Sequence, residues 1–462
     1  MFQNMCLKSW VVLLAGVCAA WVAAAQEPSP PGGAAPTQDQ MIGRMLTNLR
    51  ANPQAKPVVL ERWQGRMAID GFADAGNRLT ELGWILDEAI AMTPAKFEAN
   101  RQQIIARIVA QLTGGTPGSL ANAIPWIDVH VHFIGAGTPM GLRGAARAAA
   151  NGMANTGRQM MIVMAAPGNG RARQAMTADY DCEKLKEAVR EFPARFAFLG
   201  GGLETIPDVP VTSDMKRRFE QRAEAMLRLG ARGFGEMALH HTAYPYQSVP
   251  GDHPLMLLLA DVAARHDALL DIHMDLVAGD MPSPSWLAAD YEEYRRHMPP
   301  LPGAPAQVPS RLSANLPAFE RLLDHNSHAR VLWEHCGTDV FGHWTAGLSH
   351  HLLEKHPNLY MAMRIALVPG RFPETNPMTP ERQIKPDWLK LFQDFPTRFV
   401  IGTDSFIAPP DMKSGGWAFD MSKTAFTPRA GYPTQAFLHA LPPDLARKIA
   451  SENAIRVFKL KD

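Results

Sequence analysis

The chain has 462 residues, with 46 lysines and arginines against 45 aspartates and glutamates, for a net charge of +1. A balance this close to neutral gives no reason to expect a nucleic-acid partner or an anionic membrane surface, so we expect a small-molecule substrate. The length, with hydrophobic residues at 46%, allows one large domain with an appendage or two domains.

Residues 1–25 have the pattern of a secretory signal peptide. Lys8 precedes an apolar run over residues 10–22, and Ala25 ends a small-residue cleavage site before Gln26. The run is shorter than the ~20 residues of a membrane-spanning helix, which makes an uncleaved anchor the less favoured interpretation. We therefore expect cleavage after Ala25, a periplasmic or secreted protein, and no stable membrane span afterwards. Cleavage would remove two of the four cysteines, Cys6 and Cys18. The other two, Cys182 and Cys336, allow either a disulfide or two buried thiols.

Residues 26–120 are expected to form a flexible leader followed by a helical extension. Proline, glycine and alanine dominate the stretch up to about Thr37. Apolar residues then recur at helical spacing over residues 41–112, and Thr93-Pro94 has the composition of a helix start. Nothing in this extension has a recognisable catalytic pattern, so its role stays open.

Residues 121–462 alternate between short apolar runs and helical patterns, which is typical of β/α units around a parallel sheet. The predicted strands are residues 126–132, 160–166, 196–203, 231–237, 269–274, 331–335, 359–365 and 399–403. Eight such units predict an α/β fold, the (β/α)₈ TIM barrel. An open doubly wound sheet is the alternative, but Gly135-Ala136-Gly137 lacks the third glycine of a dinucleotide-binding turn.

The main functional signal is a set of histidines at the ends of predicted strands. His130 and His132 are two residues apart on the first strand, so both point to the same face. His273 and His335 end the fifth and sixth strands, and Asp404 follows the eighth. Imidazole and carboxylate groups are ligands of zinc and similar ions. Because active sites of such barrels lie at the carboxyl ends of the strands, we expect one site.

These ordered segments resemble the amidohydrolase superfamily. The similarity is greatest to the amidohydrolase-related branch, which also contains amino-carboxymuconate-semialdehyde-type decarboxylases. It rests on Asp128-Val129-His130-Val131-His132, Asp271-Ile272-His273, Trp333-Glu334-His335-Cys336-Gly337, Ile401-Gly402-Thr403-Asp404 and the closing stretch from Ser451 to Phe458. The resemblance covers roughly residues 125 to 460 and does not extend to the helical extension.

The resemblance implies that His130, His132, His273 and Asp404 bind one divalent metal ion, which we expect to be zinc. His335 would be catalytic, or a ligand if two ions bind. Many relatives with two metals bridge them with a modified lysine on strand 4, and this chain has no lysine there. Glu236 on that strand keeps a two-metal site open, because some related barrels bridge with glutamate.

Two further charged residues lie in apolar strands. Arg364 on the seventh strand either binds an acidic group of the substrate or forms a structural ion pair. Glu334 is expected to point away from the face that carries His335 and to be structural. Residues 276–313 and 405–432 are long enough to form walls or a lid over the site.

The predicted function is that of an exported metal-dependent hydrolase of an amide, lactone or ester. A zinc ion makes hydroxide available near neutral pH, and Asp404 would move the proton between water and leaving group. His335 would polarise the substrate carbonyl. A non-oxidative decarboxylase of a small carboxylic acid is one alternative, and a non-catalytic metal-binding barrel is another. The substrate and the oligomeric state stay open.

Overall fold

A computed structural model gives the structure of residues 38–69, 75–113, 123–135, 137–153, 156–164, 182–201, 210–242, 246–297, 305–365, 372–379, 383–409, 411 and 431–460. The chain divides into two compact units, residues 1–122 and 123–462. The predicted signal peptide and leader, residues 1–37, lie outside the described residues. Within the described ranges, no helix combines the length and apolar character needed to cross a membrane.

The described part of the first unit consists of helices. They are α1 (Gln38–Ala51), α2 (Lys56–Ile69), α3 (Ala75–Ala91) and α4 (Pro94–Thr113), with a short 3₁₀ turn at Pro53–Ala55. The start predicted at Thr93-Pro94 is confirmed, because the Thr93 hydroxyl accepts a hydrogen bond from the Lys96 amide at 3.4 Å. Ile42, Leu86 and Ile108 are fully buried in an apolar core within this unit.

The second unit is built on a parallel sheet. Its main strands are β1 (Trp126–Phe133), β2 (Arg158–Met164), β3 (Phe196–Phe198), β4 (Gly233–His241), β5 (Leu269–Met274), β6 (Arg330–Cys336), β7 (Leu359–Met363) and β8 (Phe399–Ile401). All eight predicted strands are present, although β3 ends earlier and β4 runs further than predicted. Short strands also occur at Gln247–Ser248, Met281–Pro282, Arg311–Leu312 and Ser405–Ile407.

The strands lie in the order β3, β2, β1, β8, β7, β6, β5, β4. Backbone hydrogen bonds then connect β3 to β4, the two ends of this series. The Gly200 amide donates to the Gly233 carbonyl at 2.8 Å, and the Gly235 amide donates to the Gly200 carbonyl at 3.2 Å. Gly200 and Phe234 also form a parallel bridge. The strands therefore follow one another around a ring, and the α/β barrel predicted from the sequence describes this unit.

Side chains alternate between two buried cores along the strands. One core packs the strands against the helices and includes Leu270, Val331, Met361 and Phe399. Their immediate neighbours Leu269, Leu332, Ala362 and Val400 belong to a separate core between the strands. Because this alternation has a period of two, the inner set continues toward the carboxyl ends through Asp271, Glu334 and Gly402. The barrel interior thus becomes polar near the predicted site.

Helices occupy the connections between strands and follow the last strand. They are α5 (Gly141–Met153), α6 (Cys182–Val189), α7 (Ser213–Arg228), α8 (Pro254–Arg265), α9 (Ser285–His297), α10 (Leu316–His325), α11 (Ala346–Lys355), α12 (Pro386–Asp394), α13 (Gly431–Ala440), α14 (Pro443–Arg447) and α15 (Asn453–Phe458). The insertion after β5 contains α9 and the antiparallel pair Met281–Pro282 and Arg311–Leu312. Val277, Leu287 and Tyr291 bury one another in this insertion, which gives it an apolar cluster of its own.

Cys182 and Cys336, whose pairing the sequence left open, are both buried, and no disulfide joins them. Cys182 lies at the start of α6 and Cys336 at the end of β6. Burial raises the pKa of the Cys336 thiol, which keeps it protonated. The cysteines therefore contribute to the core as apolar groups.

A first prediction concerns Glu81 on α3. Burial raises the pKa of its carboxyl from 4.5 to about 7, and Arg107 offsets this rise only in part. Between these pH values the folded chain holds a proton that the unfolded chain releases, so stability falls as the pH rises through this range. Glu81→Gln should raise the free energy of unfolding at pH 8 by up to about 3 kcal/mol.

Urea unfolding at pH 4.5 and pH 8 measures this effect. The gain from Glu81→Gln should be small at the lower pH, where the carboxyl is neutral in the folded chain and only about half ionised in the unfolded chain. Glu98→Gln, at an exposed position on α4, is the matched control and should leave stability nearly unchanged at both pH values. An equal gain in the free energy of unfolding at both pH values would show that the proton on Glu81 is not the cause of the effect.

Candidate metal centre

The structure brings all six predicted metal-site and catalytic residues together. Five lie on strands, with His130 and His132 on β1, Glu236 on β4, His273 on β5 and His335 near the end of β6. Asp404 follows β8. Parallel strands all end at one edge of a barrel, which is why residues far apart in sequence meet there. The side chains of these residues are buried or nearly so.

Four of their atoms form a first cluster. His130 Nε2 and His132 Nε2 are 2.9 Å apart. Asp404 Oδ1 lies 3.8 and 3.3 Å from these two nitrogens, and Glu236 Oε2 lies 3.3 and 3.4 Å from them. Atoms that bind one zinc ion tetrahedrally at about 2.1 Å are about 3.4 Å apart. The spacing of this cluster therefore fits a divalent ion.

A second cluster uses the other oxygen of the same carboxylate. Glu236 Oε1 lies 2.6 Å from His273 Nδ1 and 3.3 Å from His335 Nε2. The two imidazole nitrogens are 2.9 Å apart. His273 thus lies with His335 and Glu236, away from the set His130, His132 and Asp404 with which the sequence had grouped it. Glu236 stands between the two groups.

Two residues reach the centre through a left-handed backbone. His335 has a φ of 69° and Asp404 a φ of 55°. Regular alternation would turn His335 outward like Trp333, which packs in the helix-facing core. The left-handed backbone instead directs its imidazole to Glu236. Such conformations cost of order 1 kcal/mol or more and cluster at functional sites, where surrounding structure maintains them.

Buried groups also contact the far nitrogens of the histidines. Glu334 Oε2 lies 2.9 Å from His130 Nδ1, so the expectation that Glu334 points away from the site is wrong. The Met164 carbonyl lies 3.3 Å from His132 Nδ1. Asp275 Oδ1 lies 3.4 Å from His273 Nε2. Contacts of this kind fix the ring orientation and tautomer of histidines that bind metals.

Glu334 and Asp275 contact histidines of the centre, and Asp271 lies close to His130 and Glu334, but the sequence did not predict any of the three as site residues. A usable signal was present, because Glu334 and Asp271 are acidic residues inside apolar strands, as Arg364 is a basic one. The distance from such a residue to a histidine on another strand cannot be read from local periodicity. Asp275 lies just after β5, where its side chain accepts hydrogen bonds from the Thr242 amide and hydroxyl at 2.7 and 2.6 Å.

Carboxylates dominate the electrostatics of the centre. Burial alone would lower the pKa of His273, but Glu236 and Asp275 outweigh it and raise the pKa to about 10. Burial likewise opposes protonation of His130, yet Glu334 and Glu236 raise its pKa well above the usual value. Although burial acts in the opposite sense, the histidines lower the pKa of Glu236 well below its ordinary value. The site therefore favours added positive charge.

The residues present fit a bound cation. Glu236 Oε2 is buried and makes no hydrogen bond within the described part of the chain. Its neighbours are the imidazole nitrogens of the first cluster, which together with a carboxylate are ligands that zinc prefers. A buried carboxylate oxygen without a hydrogen bond is costly, and a divalent ion at this point would remove that cost.

Arg364 lies at the accessible side of the centre. Its Nη1 atom is 3.2 Å from Asp404 Oδ2, and its side chain is 43% exposed. Burial acts to raise the pKa of Asp404, but Arg364 and the nearby histidines lower it below its ordinary value. The structural ion pair that the sequence left open is thus present, and the exposed part of the guanidinium remains accessible to a ligand.

Asp128, which precedes the two histidines on β1, forms a buried ion pair and also contacts the turn that carries Asp404. Asp128 Oδ2 lies 3.0 Å from Arg158 Nε, and both side chains are fully buried. Asp128 also accepts hydrogen bonds from the Thr403 amide at 3.0 Å and the Thr403 hydroxyl at 2.7 Å. The Asp404 amide donates to the His130 carbonyl at 3.0 Å. These contacts connect β1 to the turn after β8.

An α/β barrel with a histidine and carboxylate centre at the carboxyl ends of its strands defines the class of metal-dependent barrel enzymes. The sequence profile of one such family, described as amidohydrolase, matches residues 127–460. The chain belongs to this amidohydrolase family, and the resemblance seen in its motifs is confirmed. It is an enzyme of the amidohydrolase superfamily. No curated protein matches the chain.

Solved structures with a similar fold include two decarboxylases and a hydratase. 2,6-Dihydroxybenzoate decarboxylase from Rhizobium is 14% identical, with a TM-score of 0.41 over 73% of this chain and 99% of that one. 5-Carboxyvanillate decarboxylase from Novosphingobium aromaticivorans, complexed with manganese, is 12% identical, with a TM-score of 0.39 over 74% and 97%. 4-Oxalomesaconate hydratase from Rhodopseudomonas palustris is 12% identical, with a TM-score of 0.38 over 72% and 96%. Values this low leave the reaction of this chain open.

A second prediction tests the Asp128–Arg158 pair. Asp128→Ala leaves a buried guanidinium without its carboxylate and should lower the free energy of unfolding by about 3–5 kcal/mol. The double substitution Asp128→Leu, Arg158→Leu removes both charges and should cost less than the single one. Urea unfolding followed by circular dichroism compares the variants. A double variant at least as unstable as Asp128→Ala would show that the unpaired charge is not the cause.

Proposed function

We propose that this chain is an exported hydrolase that binds two divalent metal ions and cleaves an amide, lactone or ester bond in a small molecule. The observation that supports it most directly is the position of Glu236. Each oxygen of this buried carboxylate contacts a different pair of histidines. A carboxylate in this position can bridge two ions, an arrangement used by many metal-dependent hydrolases.

The donor sets follow from the two clusters. His130, His132 and Asp404 would hold one ion, His273 and His335 would hold the other, and Glu236 would contact both. The sequence favoured one ion, but the contacts of His335 with Glu236 and His273 support a second. Because most donors are imidazoles, zinc is the metal we expect.

When bound, such ions lower the pKa of a coordinated water toward neutrality and polarise a substrate carbonyl. Asp404 is placed to move the proton, because its carboxylate is ionised and its Oδ1 atom faces the first cluster. Oxygen from water would attack the carbonyl carbon, and the bond to the leaving nitrogen or oxygen would break. Asp404 would accept the water proton and return it to the leaving atom.

Export belongs to the same proposal and rests on the sequence. The basic residue, the apolar run and the alanine site before Gln26 together support cleavage after Ala25. The mature enzyme would then work in the periplasm or outside the cell, on substrates that reach that compartment.

Decarboxylation of a small carboxylic acid is the second candidate, and Arg364 is the observation that favours it. Its side chain is 43% exposed, and its Nη1 atom lies beside Asp404. A partly exposed guanidinium is a good partner for a substrate carboxylate, which it can bind through two parallel hydrogen bonds. In that reaction carbon dioxide would leave and a proton would replace it.

A third prediction concerns metal content, measured by elemental analysis of the chain purified without chelators. We expect about two equivalents of a divalent metal, with zinc as the main species. His273→Ala should reduce the content to about one equivalent, because the first cluster keeps its own donors. His356→Ala, which removes a buried histidine paired with Glu320, is the matched control and should retain both ions.

One equivalent in the unchanged chain would contradict the two-ion proposal and agree with the single ion predicted from the sequence. Loss of that ion in His273→Ala would support the predicted ligand set, and its retention would remove His273 from that set. No metal after reconstitution with zinc would overturn the metal-dependent function. Metal retained without turnover of amides, lactones, esters or small carboxylic acids would favour the non-catalytic barrel.

A fourth prediction separates the two reactions by their response to Asp404 and Arg364. For a hydrolase, Asp404→Asn should lower kcat by about 10²–10⁴-fold, because proton transfer is lost. Arg364→Met should then have a much smaller effect on an uncharged ester or lactone. For a decarboxylase, Arg364→Met should mainly raise KM for the carboxylic acid. Product analysis for carbon dioxide decides between them, since hydrolysis releases none.

A further inference from the structure

Glu334 occupies an unusual position in the barrel. It lies on β6 among apolar neighbours, and its side chain is fully buried. Its Oε2 atom lies 2.9 Å from His130 Nδ1, within hydrogen-bonding distance. Asp271, on the neighbouring strand β5, lies close to both residues, with polar atoms of all three side chains within 4.8 Å of one another. A carboxylate is costly to bury without a partner of opposite charge or a hydrogen-bond donor, so the position of Glu334 beside His130 points to a role at the metal centre.

Gly402 makes room for this contact. A Cβ atom at position 402 would lie 2.9 Å from Glu334 Oε2 and 3.0 Å from His130 Cβ. Both distances are at or below the limit of ordinary carbon contacts, so any larger residue would push the carboxylate and the imidazole apart. Gly402 lies two residues before Asp404, on the inner face of the barrel. Glu334 on β6 and Gly402 after β8 therefore both lie against His130.

The contact decides which nitrogen of His130 is available to a cation. A neutral imidazole carries one proton, and the nitrogen without it has the lone pair that binds metal. A carboxylate at Nδ1 favours the form with the proton on Nδ1. Nε2, which lies 2.9 Å from His132 Nε2 and 3.3 Å from Glu236 Oε2, is then free to bind.

We propose that Glu334 is a positioning residue of the metal centre, which orients His130 and fixes its tautomer so that Nε2 faces the first ion. This inference rests on the proposed metal-dependent function and deepens it. Glu334 touches neither the ion nor the substrate and acts only through His130. Gly402 is part of the same arrangement, because it provides the space in which the two side chains meet.

The experiment compares Glu334→Leu, Glu334→Gln and Gly402→Ala with the unchanged chain, using zinc as the probe. Zinc affinity is measured by competition with a chelator. The tautomer of His130 is measured by ¹⁵N NMR of the metal-free protein, at a pH high enough to make the imidazole neutral. Glu334→Leu should weaken binding of the first ion by about 10–100-fold. Glu334→Gln should retain more affinity, because its amide oxygen still accepts a hydrogen bond. Gly402→Ala should weaken binding although both side chains remain.

Glu81→Gln in the helical unit is the matched control and should leave zinc affinity unchanged. Unchanged affinity and unchanged His130 tautomer in Glu334→Leu and Gly402→Ala would overturn the inference while leaving the metal centre intact. Absence of zinc binding in the unchanged chain would instead refute the proposed function. If Glu334→Leu does not fold, Glu334→Gln and Gly402→Ala decide the matter by the same two measurements.

Discussion

The contact on which the centre depends is that of the Glu236 carboxylate with imidazoles from three strands. Its two oxygens face different histidine pairs, so the side chain holds the two clusters in one site. This requires β4 to lie across the ring from β1 and close to β5 and β6. The ring order of the strands provides that arrangement, and a flat sheet with the same strands would separate the clusters.

Buried negative charge explains much of the chemistry around this contact. Glu334 and Glu236 lie in the barrel interior, where an unpaired carboxylate is costly. Asp271 lies there too, and burial together with Glu334 raises the pKa of its carboxyl well above the ordinary value. Arg158 compensates Asp128, but it lies with that residue and not with the other three. Protons on the histidines, or bound cations in their place, are then the source of positive charge. The same buried carboxylates therefore raise the pKa of the histidines and favour the binding of a cation.

Departures from regular strand geometry are concentrated at the carboxyl ends of the strands. His335 and Asp404 adopt left-handed backbone conformations, which are uncommon for residues other than glycine. Gly402 lacks the side chain that would separate Glu334 from His130. The regular parts of the strands form a packed core next to these carboxyl ends. This core can support such conformations, because local strain persists only where the surrounding structure maintains it. The apolar part of the barrel thus provides stability, and its irregular rim provides the site.

The sequence by itself determined the strands, their parallel arrangement and the membership of His130, His132, His273 and Asp404 in one site. These follow from periodicity and from the rule that barrel sites lie at strand ends, both of which are local patterns. The tertiary structure decided how the residues are grouped, with His273 beside His335 and Glu236 between the pairs. It also decided that Glu334 contacts His130. Such contacts depend on distances across the ring and on single left-handed residues, which no local repeat in the sequence encodes.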